Sequence, residues 1–303
     1  MKKAFIILLS LLLTGLAGCA AAGEPAQIAA TTLPVYEFTA RLCDGTPLTV
    51  TRLVTEEVSC LHDYSLNVKQ VKAAEAAELI VISGAGLEEF MEDILSGKPA
   101  VDASENIPLI TPEEHSHDHD HRQESEEHYE DDHEGHHHEH DPHIWLSPAN
   151  AMIMAENICT GLSGQYPVYA DVFADNLAAL LTDLSTLEEY GYTQLETLSC
   201  RDLITFHDGF AYLADAYNLE IVNAIEEESG REASAKELIH IIEEVEHHRL
   251  PAIFTEKSGS VSAAGIITRE TGAREFSLDM AMSGDSYFDA MYHNINTLKE
   301  ALQ

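Results

Sequence analysis

His62, His143 and His207 stand in three short strings, "CLHDYSL", "DPHIWLSP" and "ITFHDGF", and each offers a neutral imidazole that can give a lone pair to a borderline cation. Two carboxylates, Asp279 in "SLD" and Glu256 in "FTEK", could add an oxygen donor. Three imidazoles and one oxygen are a donor set suited to a tetrahedral divalent ion. The separations, 81 residues from His62 to His143 and 64 from there to His207, match no short zinc motif, so any such site has to be assembled by the fold. A histidine near a strand end is also commonly structural or exposed, and residue type alone leaves that choice open.

His143 poses the question most sharply. It follows a run, residues 113–141, that holds ten histidines, thirteen acids and one arginine. The ten are His115, His117, His119, His121, His128, His133, His136, His137, His138 and His140. Such a run cannot build a core, so it reads as a disordered insertion. Closely spaced imidazoles in it can still chelate a metal, although ordering the chain costs about 1 to 2 kcal/mol per residue. Its sites are therefore expected to be weak and several, serving to scavenge, buffer or sense metal; the alternative is a solvated spacer. Immediately after His143 the chain turns apolar around its single tryptophan, Trp145.

The elements that must position these residues alternate. "QIAATT", "LTVTRLV" and "ELIVISG" read as short apolar strands, with helices in "PVYEFTARLC" and from "NVKQVKAAEAA" between them. Ser147 and Pro148 look like the N-cap and first position of another helix. Residues 168–198 carry long helical periodicity, which Gly191 is expected to break or bend. The alternation then restarts with strands "DLITF", "LEIVNAI", "PAIFTE" and "AREFSLD", and with "SAKELIHIIEEVEHH" as the clearest helix. The fold class is α/β: two lobes, each a parallel sheet flanked by helices, joined by a long rigid connecting helix. The expected boundaries are 26–167 for the first lobe with its insertion at 113–141, 168–198 for the connecting helix, and 199–303 for the second lobe. Ligands bind beyond the carboxyl ends of parallel strands. His207, Glu256 and Asp279 each fall at such an end.

Composition narrows the partners. In 303 residues, 53 acids against 16 bases give a formal charge of -37, which disfavours nucleic acid and anionic membrane surfaces and suits cations. No Gly-rich phosphate loop ending in Lys-Ser/Thr is present, so nucleotide hydrolysis is not expected of this chain. Residues 1–18 read as an export signal, with Lys2 and Lys3 ahead of a short apolar run. "LAGC" then resembles a bacterial lipoprotein cleavage site, leaving Cys19 to carry lipid and residues 19–25 as a tether at the extracytoplasmic face of the cell membrane. Four further cysteines, Cys43, Cys60, Cys159 and Cys200, could pair or simply be small buried residues.

The strings "HDYSL", "DPHIWLSP", "ITFHDGFAYLADAYNL", "SAKELIHII" and "LDMAMSGDSYFDAMYHNINTLKEAL" occur in the same order as in the zinc-specific substrate-binding lipoproteins of bacterial ABC transporters, cluster A-I, and nearly the whole mature chain is similar to them. The resemblance implies a monomeric receptor in which two α/β lobes hold one Zn²⁺ as transported ligand and pass it to a permease driven by a separate ATPase. It implies His62, His143 and His207 as ligands, completed by Asp279, by Glu256 or by water, in that order. Manganese-binding relatives have a glutamate in place of His207; a third imidazole in its stead favours zinc. Asp63 and Asp208, next to two of these histidines, are candidates to orient the rings. Lys257 and "EEVSC" depart from the family's usual pattern and bear on loop shape.

Two other classes deserve weight. Three histidines with one open position also describe a catalytic zinc, with Glu256 as general base. Against this, no H-E-x-x-H helix is present, and a carboxylate completing the shell would leave no place for a reactive water. An adhesin in which the metal is only structural is the third class. His240, His247, His248 and His293 lie on helical stretches and are expected to face water, while Tyr64, Tyr212, Tyr217 and Trp145 are expected to form core or cleft walls.

Overall fold

A computed structural model describes residues 27–58, 61, 64–111, 140–226, 234–257 and 262–303. The export signal, the tether with Cys19, Cys60, His62, Asp63 and the histidines from 115 to 138 lie outside the described residues. In chain order the elements are β1 (Ile28–Ala30), α1 (Leu33–Leu42), β2 (Val50–Arg52), α2 (Val68–Ala76), β3 (Leu79–Ile82), α3 (Glu92–Leu95), β4 (Ala100–Asp102), α4 (Pro148–Gln165) and α5 (Ala170–Leu195). They continue with β5 (Asp202–His207), α6 (Ala211–Ala216), β6 (Glu220–Glu226), α7 (Ala235–His248), β7 (Ala252–Glu256), α8 (Ser262–Thr271), β8 (Arg274–Leu278) and α9 (Tyr287–Leu302).

Two four-stranded sheets result, ordered β2-β1-β3-β4 and β6-β5-β7-β8, and every pairing is parallel. Parallel neighbours need crossovers, and the helices between strands supply them, which buries the inner strands β1, β3, β5 and β7 almost throughout and leaves the edge strands more polar. The two-lobe α/β architecture read from the sequence is what the chain adopts. Ser147 does cap α4, accepting a hydrogen bond from the Asn150 N–H at 3.4 Å, with Pro148 at the first helical position. Ser234 and Glu237 form a reciprocal capping box at the start of α7.

Two details differ from expectation. Gly191 neither breaks nor ends α5, which runs 26 residues through it. A Cβ there would lie 2.3 Å from the Tyr217 ring, so glycine is present to let a helix and an aromatic side chain approach closely. β4, only three residues long and partly exposed, carries no apolar alternation by which it could be read.

One apolar core runs through both lobes. Phe38 of α1, Trp145, Phe173 of α5, Phe210 and Tyr287 of α9 belong to the same buried cluster. Phe38 meets Tyr287 edge-on with ring centroids 5.1 Å apart. Polar contacts reinforce this seam: the Leu33 N–H donates to the Met282 carbonyl at 3.1 Å and the Tyr287 N–H to Glu37 Oε2 at 2.6 Å. Cys43, Cys159 and Cys200 are free thiols, and burial pushes the Cys43 thiol up to about 12. Among the described residues, no helix is long and apolar enough to cross a membrane.

Candidate functional site

His143 opens the short turn between the histidine-rich run and α4, and its ring is buried. The acid that positions it is Asp141, two residues upstream. Asp141 Oδ1 accepts from the His143 backbone N–H at 2.8 Å and lies 2.7 Å from ring Nδ1. A carboxylate can only accept, so Nδ1 carries the hydrogen and Nε2 keeps its lone pair. Nε2 is buried and meets no hydrogen-bond partner among the described residues.

Asp141 is itself buried, with its N–H donating to the Ile110 carbonyl at 2.9 Å and its carbonyl accepting from the Tyr212 hydroxyl at 3.0 Å. The reading of 113–141 as one disordered run is corrected at this end: the last acid belongs to the fold. It went unread because, in sequence, it is one acid among thirteen. The Asp-Pro-His spacing was the available signal, since a carboxylate two residues before a histidine can reach both its amide and its ring.

His207 arrives from the second lobe as the last residue of β5 and is also buried. Its ring centroid lies 5.4 Å from that of His143, with planes at 89°. Two imidazoles sharing one tetrahedral ion at about 2.0 Å per nitrogen have centroids about 5 Å apart, so the spacing fits such an ion. Strand register sets the neighbours. Thr205 pairs with Phe254 across β5 and β7, which brings His207 beside Glu256, whose Oε1 is 3.9 Å from His207 Nδ1. That is too long for a hydrogen bond and short enough for electrostatic attraction. Glu256 is therefore a neighbour of His207, whereas Asp141 holds His143 by a hydrogen bond.

Asp279 directly follows β8. Its carboxylate is engaged: Oδ1 accepts from the Ala281 N–H at 2.9 Å, and Oδ2 lies 3.5 Å from Lys257 Nζ. Asp208 is exposed. Of the outlying histidines, His240, His247 and His293 are exposed as expected, whereas His248 is half-buried, with Nδ1 2.9 Å from Asp202 Oδ2. Among the described residues, no group of three His, Cys, Asp or Glu side chains converges on one point. The structure brings His143 and His207 together; His62 lies outside the described residues.

The walls are tight. Trp145 donates from Nε1 to the Met280 carbonyl at 2.7 Å, and the Tyr287 hydroxyl donates to the Trp145 carbonyl at 2.8 Å, so the residue two after His143 is tied to the second lobe on both sides. Gly209 fills the remaining gap. A Cβ there would meet Met280 Cε at 2.7 Å, His207 Cδ2 at 2.8 Å and His143 Cε1 at 3.1 Å.

A family model described as zinc-uptake complex component A, periplasmic, ZnuA, matches residues 28–301. The chain belongs to the ZnuA family. The zinc-binding lipoprotein AdcA of Streptococcus pneumoniae strain R6 is 29% identical over 316 residues, covering 99% of this chain and 61% of that protein. The zinc-binding protein AdcA of Streptococcus pyogenes serotype M3 (strain MGAS315) is 28% identical over 321 residues, with the same coverage of 99% and 61%. This ZnuA-family chain therefore spans about three-fifths of the length of those curated relatives. It spans almost all of their ZnuA-like part: the Zn(II)-bound ZnuA-like domain of Streptococcus pneumoniae AdcA superposes with a TM-score of 0.73 at 26% identity, covering 91% of this chain and 98% of that one. A crystal structure of ZnuA gives a TM-score of 0.75 at 26% identity, covering 92% of this chain and 100% of that one. The description of that family is of a zinc-uptake component, and it is met over nearly all the described residues.

Proposed function

We propose that this chain is the extracytoplasmic zinc receptor of an ABC uptake system. It captures Zn²⁺ between its lobes and hands it to a membrane permease powered by a separate ATPase. The observation that carries the reading is the meeting of two buried imidazoles from opposite lobes, with His143 Nε2 left available by the Asp141 contact to Nδ1. The ligand set is His143, His207 and His62, with Asp279 as the completing carboxylate and Glu256 as the acid beside His207. A lipid on Cys19 would tether the receptor at the membrane, consistent with a relative named as a lipoprotein.

Trp145, the only tryptophan, lies 5.5 Å from the His143 ring between centroids, so its emission reports an ion arriving there. Titration of the metal-free protein with zinc against a chelator is expected to show one tight site sensed by Trp145 and several weaker ones not sensed by it. Deleting residues 113–139 should remove only the weaker ones. His140 and Asp141 must be kept, because Asp141 holds His143. The ends left behind already meet, since the Asp141 N–H bonds the Ile110 carbonyl at 2.9 Å, and a short Gly linker closes the gap. Loss of the tight site on deletion, or no tight site in the intact protein, would reject the assignment.

Gly209→Ala tests the walls. The Met280 terminus can swing away, but His143 is fixed by Asp141 and His207 sits on a strand end, so the added methyl has to displace a ring. Zinc affinity is expected to fall about tenfold, the scale seen when the support of a ligand is disturbed. The metal-free melting temperature should fall by a few degrees, since overpacking a buried position costs about 1 to 3 kcal/mol, and zinc affinity equal to the parent's would show that the rings are not crowded there.

A further inference from the structure

We propose that Lys257 is a specificity residue that occupies the Asp279 carboxylate in place of a metal, so that an arriving divalent ion must displace an ammonium group before that carboxylate can join its shell. This rests on the zinc-receptor reading above. The strand register creates the juxtaposition. Glu256 pairs with Leu278 across β7 and β8, the Lys257 N–H donates to the Leu278 carbonyl at 3.0 Å, and the next residue on each strand therefore faces the other. Lys257 Nζ ends 3.5 Å from Asp279 Oδ2.

The two partners are not equally free. Asp279 is clamped: its N–H donates to Asn294 Oδ1 at 2.8 Å, its carbonyl accepts from Asn294 Nδ2 at 2.7 Å, and Asn294 is fully buried. Oδ1 is spent on the Ala281 N–H, which leaves Oδ2 as the oxygen Lys257 approaches. The Asp279 side chain is 16% exposed, whereas that of Lys257 is 64% exposed on a long flexible stem. The carboxylate stays and the ammonium moves.

An ion coordinated by Oδ2 would sit about 2 Å from it. It would then lie no more than about 5.5 Å from an unmoved Lys257 Nζ, where like charges repel appreciably near a protein surface. Exposed lysines yield easily, so the barrier is modest and falls unequally on different cations. An ion satisfied mainly by imidazole, such as Zn²⁺, loses little if the carboxylate stays occupied. An ion that depends on oxygen donors, such as Mn²⁺, loses more. Lys257 thereby biases the site toward imidazole-preferring metals.

The test is a double-mutant cycle on the intact protein, with Zn²⁺ and Mn²⁺ affinities each measured by chelator competition. Lys257→Gln is expected to tighten Zn²⁺ about threefold and Mn²⁺ about tenfold, whereas Lys257→Arg stays near the parent. In an Asp279→Asn background, Lys257→Gln should change neither. Affinities unchanged by Lys257→Gln, equal gains for both metals, or the same gains without the Asp279 carboxylate would overturn the proposal. The zinc reading fails on a different result, an intact protein with no tight site for Zn²⁺, so the two failures are told apart in one set of titrations.

Discussion

Replacing His207 with alanine is expected to weaken tight zinc binding by more than about a hundredfold. Disturbing only the partner that orients a ligand typically costs about 10- to 100-fold, and here one of the imidazoles itself is lost. The remaining groups cannot compensate. Glu256 projects from a neighbouring strand end toward the Nδ1 side of the ring, and Asp279 is held by Ala281, Asn294 and Lys257. The fold should survive, because His207 is the last residue of β5 and its backbone pairing does not depend on the side chain. The measurement is best made with residues 113–139 deleted, so that weak imidazoles there do not mask the loss, and with the metal-free melting temperature as a control. A companion His207→Glu replacement exchanges nitrogen for oxygen and should shift preference from Zn²⁺ toward Mn²⁺. Zinc affinity equal to the parent's in His207→Ala would remove the second lobe from the site.

Much of this arrangement is legible in the sequence, for a definite reason. Inner parallel strands are short apolar runs, and "DLITF" runs directly into His207 while "PAIFTE" and "AREFSLD" end on Glu256 and Asp279. That identifies strand ends, and in a parallel sheet the carboxyl ends face the ligand. His207, Glu256 and Asp279 could therefore be singled out. What could not be read is which of them touch. The approach of His207 to Glu256, and of Lys257 to Asp279, is fixed by the pairing of Thr205 with Phe254 and of Glu256 with Leu278, and register between distant segments leaves no local mark.

Asp141 shows the opposite difficulty: its local mark is present but drowned. The composition of residues 113–141 argues for a solvated chain, and that argument holds on average while failing at the final residue, where a carboxylate is buried to orient one ring. Gly191 misleads through propensity. A glycine in a helix costs about 1 kcal/mol, and here tertiary packing overrides it because Tyr217 needs the space.

Trp145→Ala is expected to lower the melting temperature of the metal-free protein by about 10 °C. Removing a large buried aromatic costs about 3 to 5 kcal/mol, and each kcal/mol is worth about 2 to 4 °C in a chain of 150 to 250 residues. Trp145 is fully buried in the core shared by both lobes, and its Nε1–H satisfies the Met280 carbonyl in the loop leading from Asp279. Truncation would open a cavity at the seam and leave that carbonyl without its donor. Trp145→Phe separates the two effects, since it keeps most of the ring and deletes the hydrogen bond, and should cost about 1 to 2 kcal/mol. Zinc should raise the melting temperature of both variants, because an ion held from both lobes stabilises the assembled seam by mass action. If Trp145→Ala melted with the parent, the seam would be held elsewhere. If zinc failed to stabilise it, the tryptophan would be needed to bring His143 and His207 together at all.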